Sequence, residues 1–202
     1  MKKLACCLII LILSQGLVIA QTKYKVEWQE VITARNKILE QKDNLEYMYE
    51  LAVAYANLGE VEKANNIFDH LDEEVEDYEM KIEEMIDDYQ IQLASKPDNI
   101  ELLNYLAFAY YISRDYQQAE DNFERIIEFD PKNIWSYNYL AIVNYKARDY
   151  NRAEENLKRS LEIEESQYTH LLLGANYRKQ GNFFRGIYHI SKGRRAASTF
   201  LD

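Results

Sequence analysis

The chain has 202 residues, with 34 acidic against 24 basic side chains for a formal net charge of −10, and it carries two cysteines, two prolines and six glycines. That acidic balance opposes broad electrostatic binding to nucleic acid, and a hydrophobic content of 48% excludes a disordered acidic tail. The scarcity of glycine and proline excludes collagen-like and flexible-linker classes and leaves few breaks in long helices.

Residues 1–20 have the three-part layout of a secretory signal peptide. Lys2 and Lys3 precede an apolar run from Leu4 to Leu13, and Leu17-Val18-Ile19-Ala20 precedes polar Gln21. Val18 and Ala20 supply the modest side chains that a signal peptidase needs, so cleavage is expected after Ala20. The alternative is a retained N-terminal anchor, because Leu4 to Ala20 is 17 residues, at the low edge of spanning length. Cys6 and Cys7 do not follow the apolar run, as a lipid-attachment cysteine must. Cleavage leaves 182 residues with 22 basic and 34 acidic side chains, a charge of −12 and no cysteine. The mature chain then has no disulfide and no thiolate, no membrane partner is expected of it, and its location is extracytoplasmic: periplasmic, cell-surface or secreted.

Residues 21–44 predict one helix, with Val26, Trp28, Val31, Ile32, Ile38 and Leu39 as its apolar side, packed against the start of the adjoining helix pair. Residues 45–78 predict that pair, carrying Leu51, Ala52 and Tyr55, then Ala64 and Phe68, with the turn at Asn57-Leu58-Gly59-Glu60. Gly59 suits a backbone angle that is costly for other residues. Residues 79–99 predict an additional helix or a degenerate half-repeat, with Met80, Ile82, Met85, Ile86, Tyr89 and Leu93 as an apolar stripe before Lys96-Pro97-Asp98-Asn99.

The next segments repeat. Ile100 to Asn133 and Ile134 to Gln167 are identical at 14 of 34 positions, among them Asn104/Asn138, Tyr105/Tyr139, Ala107/Ala141, Arg114-Asp115-Tyr116 against Arg148-Asp149-Tyr150, and Ala119/Ala153. Chance would give about two, and a fixed period of this size marks a repeat architecture. Within a unit, Leu103, Leu106, Ala107 and Tyr110 fall on one face of a first helix, and Tyr116, Ala119, Phe123, Ile126 and Ile127 on one face of a second. Ser113-Arg114-Asp115 makes the turn, and Pro131 ends the unit.

This pattern resembles the tetratricopeptide repeat, a helix-turn-helix unit with small residues at its eighth and twentieth positions, aromatics at the eleventh, seventeenth and twenty-fourth, and a proline near its end. In 100–133 the match is Ala107, Ala119, Tyr110, Tyr116, Phe123 and Pro131. The resemblance implies an all-α, right-handed α-solenoid with copies at 45–78, 100–133, 134–166 and 167–200. The third copy departs at Asn144 and Glu165, where an aromatic and a proline are usual. The last, with Leu173, Gly174, Tyr177, Gly181, Phe183 and Gly186 but no terminal proline, reads as a capping copy.

No catalytic constellation is present in the sequence. His70, His170 and His189 form no His-Glu-x-x-His run, and no phosphate-binding glycine loop or nucleophile elbow occurs. His170 falls on the inward face of the last copy, where packing and hydrogen bonding are expected of it. The carboxylates Glu73, Glu74, Glu76, Asp77, Glu83, Glu84, Asp87 and Asp88 read as a solvated acidic face. The chain is therefore read as non-catalytic, with no catalytic, cofactor-binding or metal-binding residues and no cofactor.

In the family that this chain resembles, the first helix of each unit lines the concave side and presents its second, fifth, ninth, twelfth and thirteenth positions. Carried onto the two central copies, these positions give a candidate groove of Asn104, Phe108, Tyr111, Trp135, Asn138, Ile142 and Tyr145, suited to an extended segment or helix of a partner protein. Tetratricopeptide adaptors that hold a chaperone's terminal carboxylate use lysine and arginine there, and the early copies here offer Glu46, Tyr49, Glu101 and Asn104 instead. Charge is unevenly placed: 60–89 carries 13 acidic and two basic residues, and 178–202 carries six basic and one acidic. The expected function is an exported protein-interaction scaffold, with a place in assembly of a cell-envelope or secretion complex. The alternative is a structural component that self-associates through its charged ends.

Overall fold

Helix-forming periodicity governs the whole described chain. A computed structural model describes residues 25–40 and 44–193. The expected signal segment 1–20, residues 41–43 and the end of the fourth copy at 194–200 lie outside the described residues. Among the described residues every regular element is a helix: α1 (25–39), α2 (Leu45–Asn57), α3 (Val61–Glu74), α4 (Tyr78–Ser95), α5 (Ile100–Ile112), α6 (Tyr116–Phe129), α7 (Ile134–Lys146), α8 (Tyr150–Ile163), α9 (Gln167–Lys179) and α10 (Phe183–Lys192). The chain divides into two units, residues 1–67 and 68–202.

In the first unit α1 turns Trp28 and Val31 inward, while Val26 and Ile38 are exposed. The expected six-residue stripe is thus narrower: Val26 lies off the face set by Trp28 and Val31, whereas Ile38 shares the side of Val31 and lies exposed in the last turn of the helix. Arg35 fixes α1 to α2 by an ion pair with buried Glu50 and by stacking its guanidinium 4.7 Å from the Tyr47 ring. Asn44 caps α2 by accepting from the Tyr47 backbone N–H.

In the second unit each helix from α4 to α10 packs on the next in sequence, and α7 also touches α9. The result is a right-handed α-solenoid of helix pairs. Helix α4 is a separate helix packed on α5, with Tyr78, Ile82, Met85, Ile86, Tyr89 and Leu93 buried. Met80, expected in that stripe, is 53% exposed, because it sits two residues from Tyr78 and so on the opposite side of the helix. The eight acidic residues from Glu73 to Asp88 named above are all exposed, as a solvated face requires.

Local chemistry explains where the helices stop and start. Asn99, Asn133 and Ser166 cap the first helices α5, α7 and α9, and Asp115 and Asp149 cap the second helices α6 and α8, each accepting a backbone N–H with its side-chain oxygen. Every intra-unit turn passes through one left-handed residue: Gly59 (φ 77°), Arg114 (φ 66°), Arg148 (φ 67°) and Gly181 (φ 77°). These four hold the fifteenth position of their copies, so two arginines adopt the angle that glycine adopts at the ends.

Small residues let the two helices of a unit approach. Ala107 and Ala119 are fully buried, as is Ala153, and Ala141 is nearly so. In the last copy the pair is Gly174 and Gly186. A Cβ on Gly174 would lie 2.7 Å from the Ile190 side chain and 2.9 Å from its backbone nitrogen. Gly174→Ala is expected to cost about 1–3 kcal/mol through forced separation of α9 and α10. Gly181→Ala, which meets nothing within 4 Å but must hold a positive φ, is expected to cost about 1 kcal/mol. Urea unfolding of both variants checks the order.

Candidate protein-binding face

The seven groove residues sort into two groups. Asn104, Phe108 and Asn138 are buried, whereas Tyr111, Trp135, Ile142 and Tyr145 are half-buried. Asn104 donates its side-chain amide to the Ile100 carbonyl one turn back, at 2.8 Å. Phe108 lies among Phe68, Phe123 and Tyr139, at centroid distances of 5.9, 5.5 and 4.8 Å. Asn138 accepts from the Thr169 hydroxyl at 3.0 Å, and Thr169 in turn lies 3.2 Å from the Ser160 hydroxyl. Phe108 and Asn138 thus join neighbouring helices, whereas the Asn104 amide satisfies a carbonyl of its own helix.

The rings of the half-buried group each contact a neighbouring ring. Trp135 lies 6.3 Å from Tyr139 and 5.6 Å from Tyr168. Tyr111 contacts Tyr116 at 6.2 Å, and Tyr145 contacts Tyr150 at 5.5 Å. Burial, with a smaller contribution from Tyr111, pushes the Tyr168 phenol up to about 12. Burial and then Tyr116 raise the Tyr111 phenol, so both remain neutral hydrogen-bonding groups at physiological pH. Tyr168 is absent from the seven residues expected from the sequence, though it holds the second position of the last copy. The repeat register places it on the inner face, at the position Trp135 holds one copy earlier, but the expected groove is confined to the two central copies.

Carboxylates on the second helices tie one copy to the next. Glu120 accepts from the Asn144 amide at 3.0 Å and pairs with Arg152, which also reaches Glu124 at 2.9 Å. One copy on, Glu154 accepts from the Tyr177 hydroxyl at 2.9 Å and the Gln180 amide at 3.1 Å. Burial opposes ionisation of Glu154, but these bonds together with Lys158 hold its carboxyl below the usual value. Asn144, unusual at the eleventh position, thus plays the donor role that Tyr177 plays there in the last copy.

His170 is buried and joins α9 to α10. Its Nε2 meets Glu165 at 2.7 Å, its Nδ1 meets Nδ1 of His189 at 2.8 Å, and Lys192 reaches the same Glu165 oxygen at 3.2 Å. Since a carboxylate only accepts, His170 Nε2 carries a proton, and only one of the two facing Nδ1 atoms carries another. This is the structural role expected for His170.

The family profile of the tetratricopeptide repeat matches residues 98–166. Residues 98–166 are therefore tetratricopeptide repeats. A search of curated proteins finds no match. Solved structures of MamA share the fold. A crystal structure of MamA is 17% identical over 88% of this chain and 93% of that one, with a TM-score of 0.53. MamA 41-end from Desulfovibrio magneticus RS-1 is 14% identical over 87% of this chain and 88% of that one, with a TM-score of 0.52. Tetratricopeptide arrays are scaffolds that present helical surfaces to other proteins.

Asn138→Ala removes the acceptor of a buried hydroxyl and is expected to lower stability by about 1–3 kcal/mol, measured by urea unfolding. His189 gives the fold a pH dependence. Burial, then the positive charges of His170 and Lys192, hold its pKa below the ordinary 6.5. As pH falls below that value the unfolded chain takes up a proton that the folded chain refuses, so stability falls until the folded pKa is reached. His189→Gln is expected to flatten the decline in unfolding free energy between about pH 7.5 and 5.5 compared with the unmodified protein.

Proposed function

We propose that this chain is an exported, non-catalytic scaffold whose inner face binds an extended segment or a helix of another protein, in assembly of a cell-envelope or secretion complex. One observation carries the binding role: half-buried rings from three successive copies, Tyr111, Trp135 and Tyr168, interact with one another, and Ile142 and Tyr145 on the same helix as Trp135 are also only partly covered. Tyrosine and tryptophan give large contact area at low entropic cost and dominate binding hot spots. Buried Asn104, Phe108 and Asn138 support that face from beneath. Export rests on the layout of residues 1–20, and the N-terminal sequence of protein recovered from outside the cytoplasm tests it: a start at Gln21 supports cleavage.

The competing reading, a component that self-associates through its ends, draws on the acidic 60–89 and basic 178–202 segments. Sedimentation at two salt concentrations separates them, since a monomer insensitive to salt removes charge-driven assembly.

For the groove, Trp135→Ala combined with Tyr111→Ala is expected to reduce capture of the native partner at least about tenfold, with circular dichroism and melting temperature little changed. Unchanged capture by the folded double variant would show that binding lies elsewhere.

A further inference from the structure

The last described helix, α10, leaves an unusual face uncovered. Its inner side is fully used: Gly186 packs on α9, Ile190 lies against Gly174, and His189 meets His170. Its outer side presents Phe184 at 86% exposure, Ile187 at 50% and Tyr188 at 54%, with Phe183 at 62% along one edge. Elsewhere among the described residues large exposed apolar side chains are scattered, as with Met80 and Ile91 on the acidic helix α4. Only on α10 do four of them fall within six consecutive residues.

The electrostatic setting of that face is opposite to that of the molecule. Arg185 and Lys192 flank one edge of the apolar side, and exposed Arg178 and Lys179 end the adjoining helix α9. Residues 178–193 hold four basic side chains and no acidic one in a chain of net charge −10. Aromatic and aliphatic side chains bordered by cations form the surface that lies in the headgroup boundary of an anionic bilayer. Phenylalanine and tyrosine rings bury their bodies at the acyl boundary while the cations meet lipid phosphate. The acidic residues of α4 are repelled by the same surface.

We propose that the outer face of α10 docks on an anionic lipid surface, independently of the aromatic groove. The site requires no spanning segment, and no described helix is long and apolar enough to cross a membrane. Phosphatidylglycerol is the probe lipid, chosen for its net negative charge.

The test uses the full chain and vesicles of phosphatidylcholine with or without about one third phosphatidylglycerol. Phe184→Trp is expected to show fluorescence quenching by brominated lipid beyond that of the unmodified protein, which has only Trp28 and Trp135. That extra quenching should need the anionic lipid and fall at high salt. Phe184→Glu combined with Ile187→Glu should lower the anionic-lipid-dependent part of vesicle flotation about tenfold, with thermal unfolding unchanged because both side chains are exposed. Trp135→Ala should float as the unmodified protein does, which separates this face from the groove. An unquenched Trp at position 184, or flotation unaltered in the double glutamate variant, overturns the proposal. Concentration-dependent association without lipid that the glutamate variant abolishes, with no quenching, assigns the face to a second copy of the chain and overturns it equally.

Discussion

The close approach of two helices within each unit is the contact on which the rest of the second unit depends. It occurs where both helices carry a residue with little or no side chain: Ala107 beside Ala119, Ala141 beside Ala153, and Gly174 beside Gly186. A larger residue at any of these points would push the helices apart and leave voids along their length. Around the contacts, rings fill the spaces between helices, as Phe108 does between Phe123 and Tyr139. The left-handed residue at each turn then sets the angle at which the second helix returns.

Stacking one unit on the next uses a different chemistry. Glu120 and Glu154 occupy the same position in successive copies, and each takes hydrogen bonds from the eleventh residue of the following copy. The donors differ, an amide in one and a phenol in the other, while the acceptor is constant. Buried polar groups of this kind are costly when unpaired, so they favour one register of stacking over slipped alternatives. The same stacking carries Trp135 and Tyr168 to within ring contact and produces an aromatic surface that no single unit contains.

Much of this was legible in the sequence because it is periodic. The 34-residue period, the small residues and Gly59 at its turn announced paired helices, and His170 was correctly expected to be structural. The left-handed angles at Arg114 and Arg148 were hidden, since arginine gives no local signal for a positive φ. Val26 and Met80 were misplaced for a simpler reason. Hydrophobicity marks residues that can be buried, and the helix angle then decides which ones are. Tyr168 holds an inner-face position of the last copy by its place in the repeat, and only its ring contact with Trp135 joins it to the groove of the two central copies.

The sequence by itself determined the helical class, the unit length and the points of closest helix contact, because these are written in spacing within about one unit. Tertiary structure decided which inner-face residues remain open. Asn104, Phe108 and Asn138 share a face with Tyr111, Trp135, Ile142 and Tyr145 by position in the repeat, yet the first three are covered by neighbouring helices and the others stay partly exposed. It also decided that α10 ends the described array with Phe184, Ile187 and Tyr188 turned outward. Burial is a property of the groups across from a side chain, and here those groups come from distant helices, 31 residues away for Asn138 and Thr169 and 40 for Phe108 and Phe68.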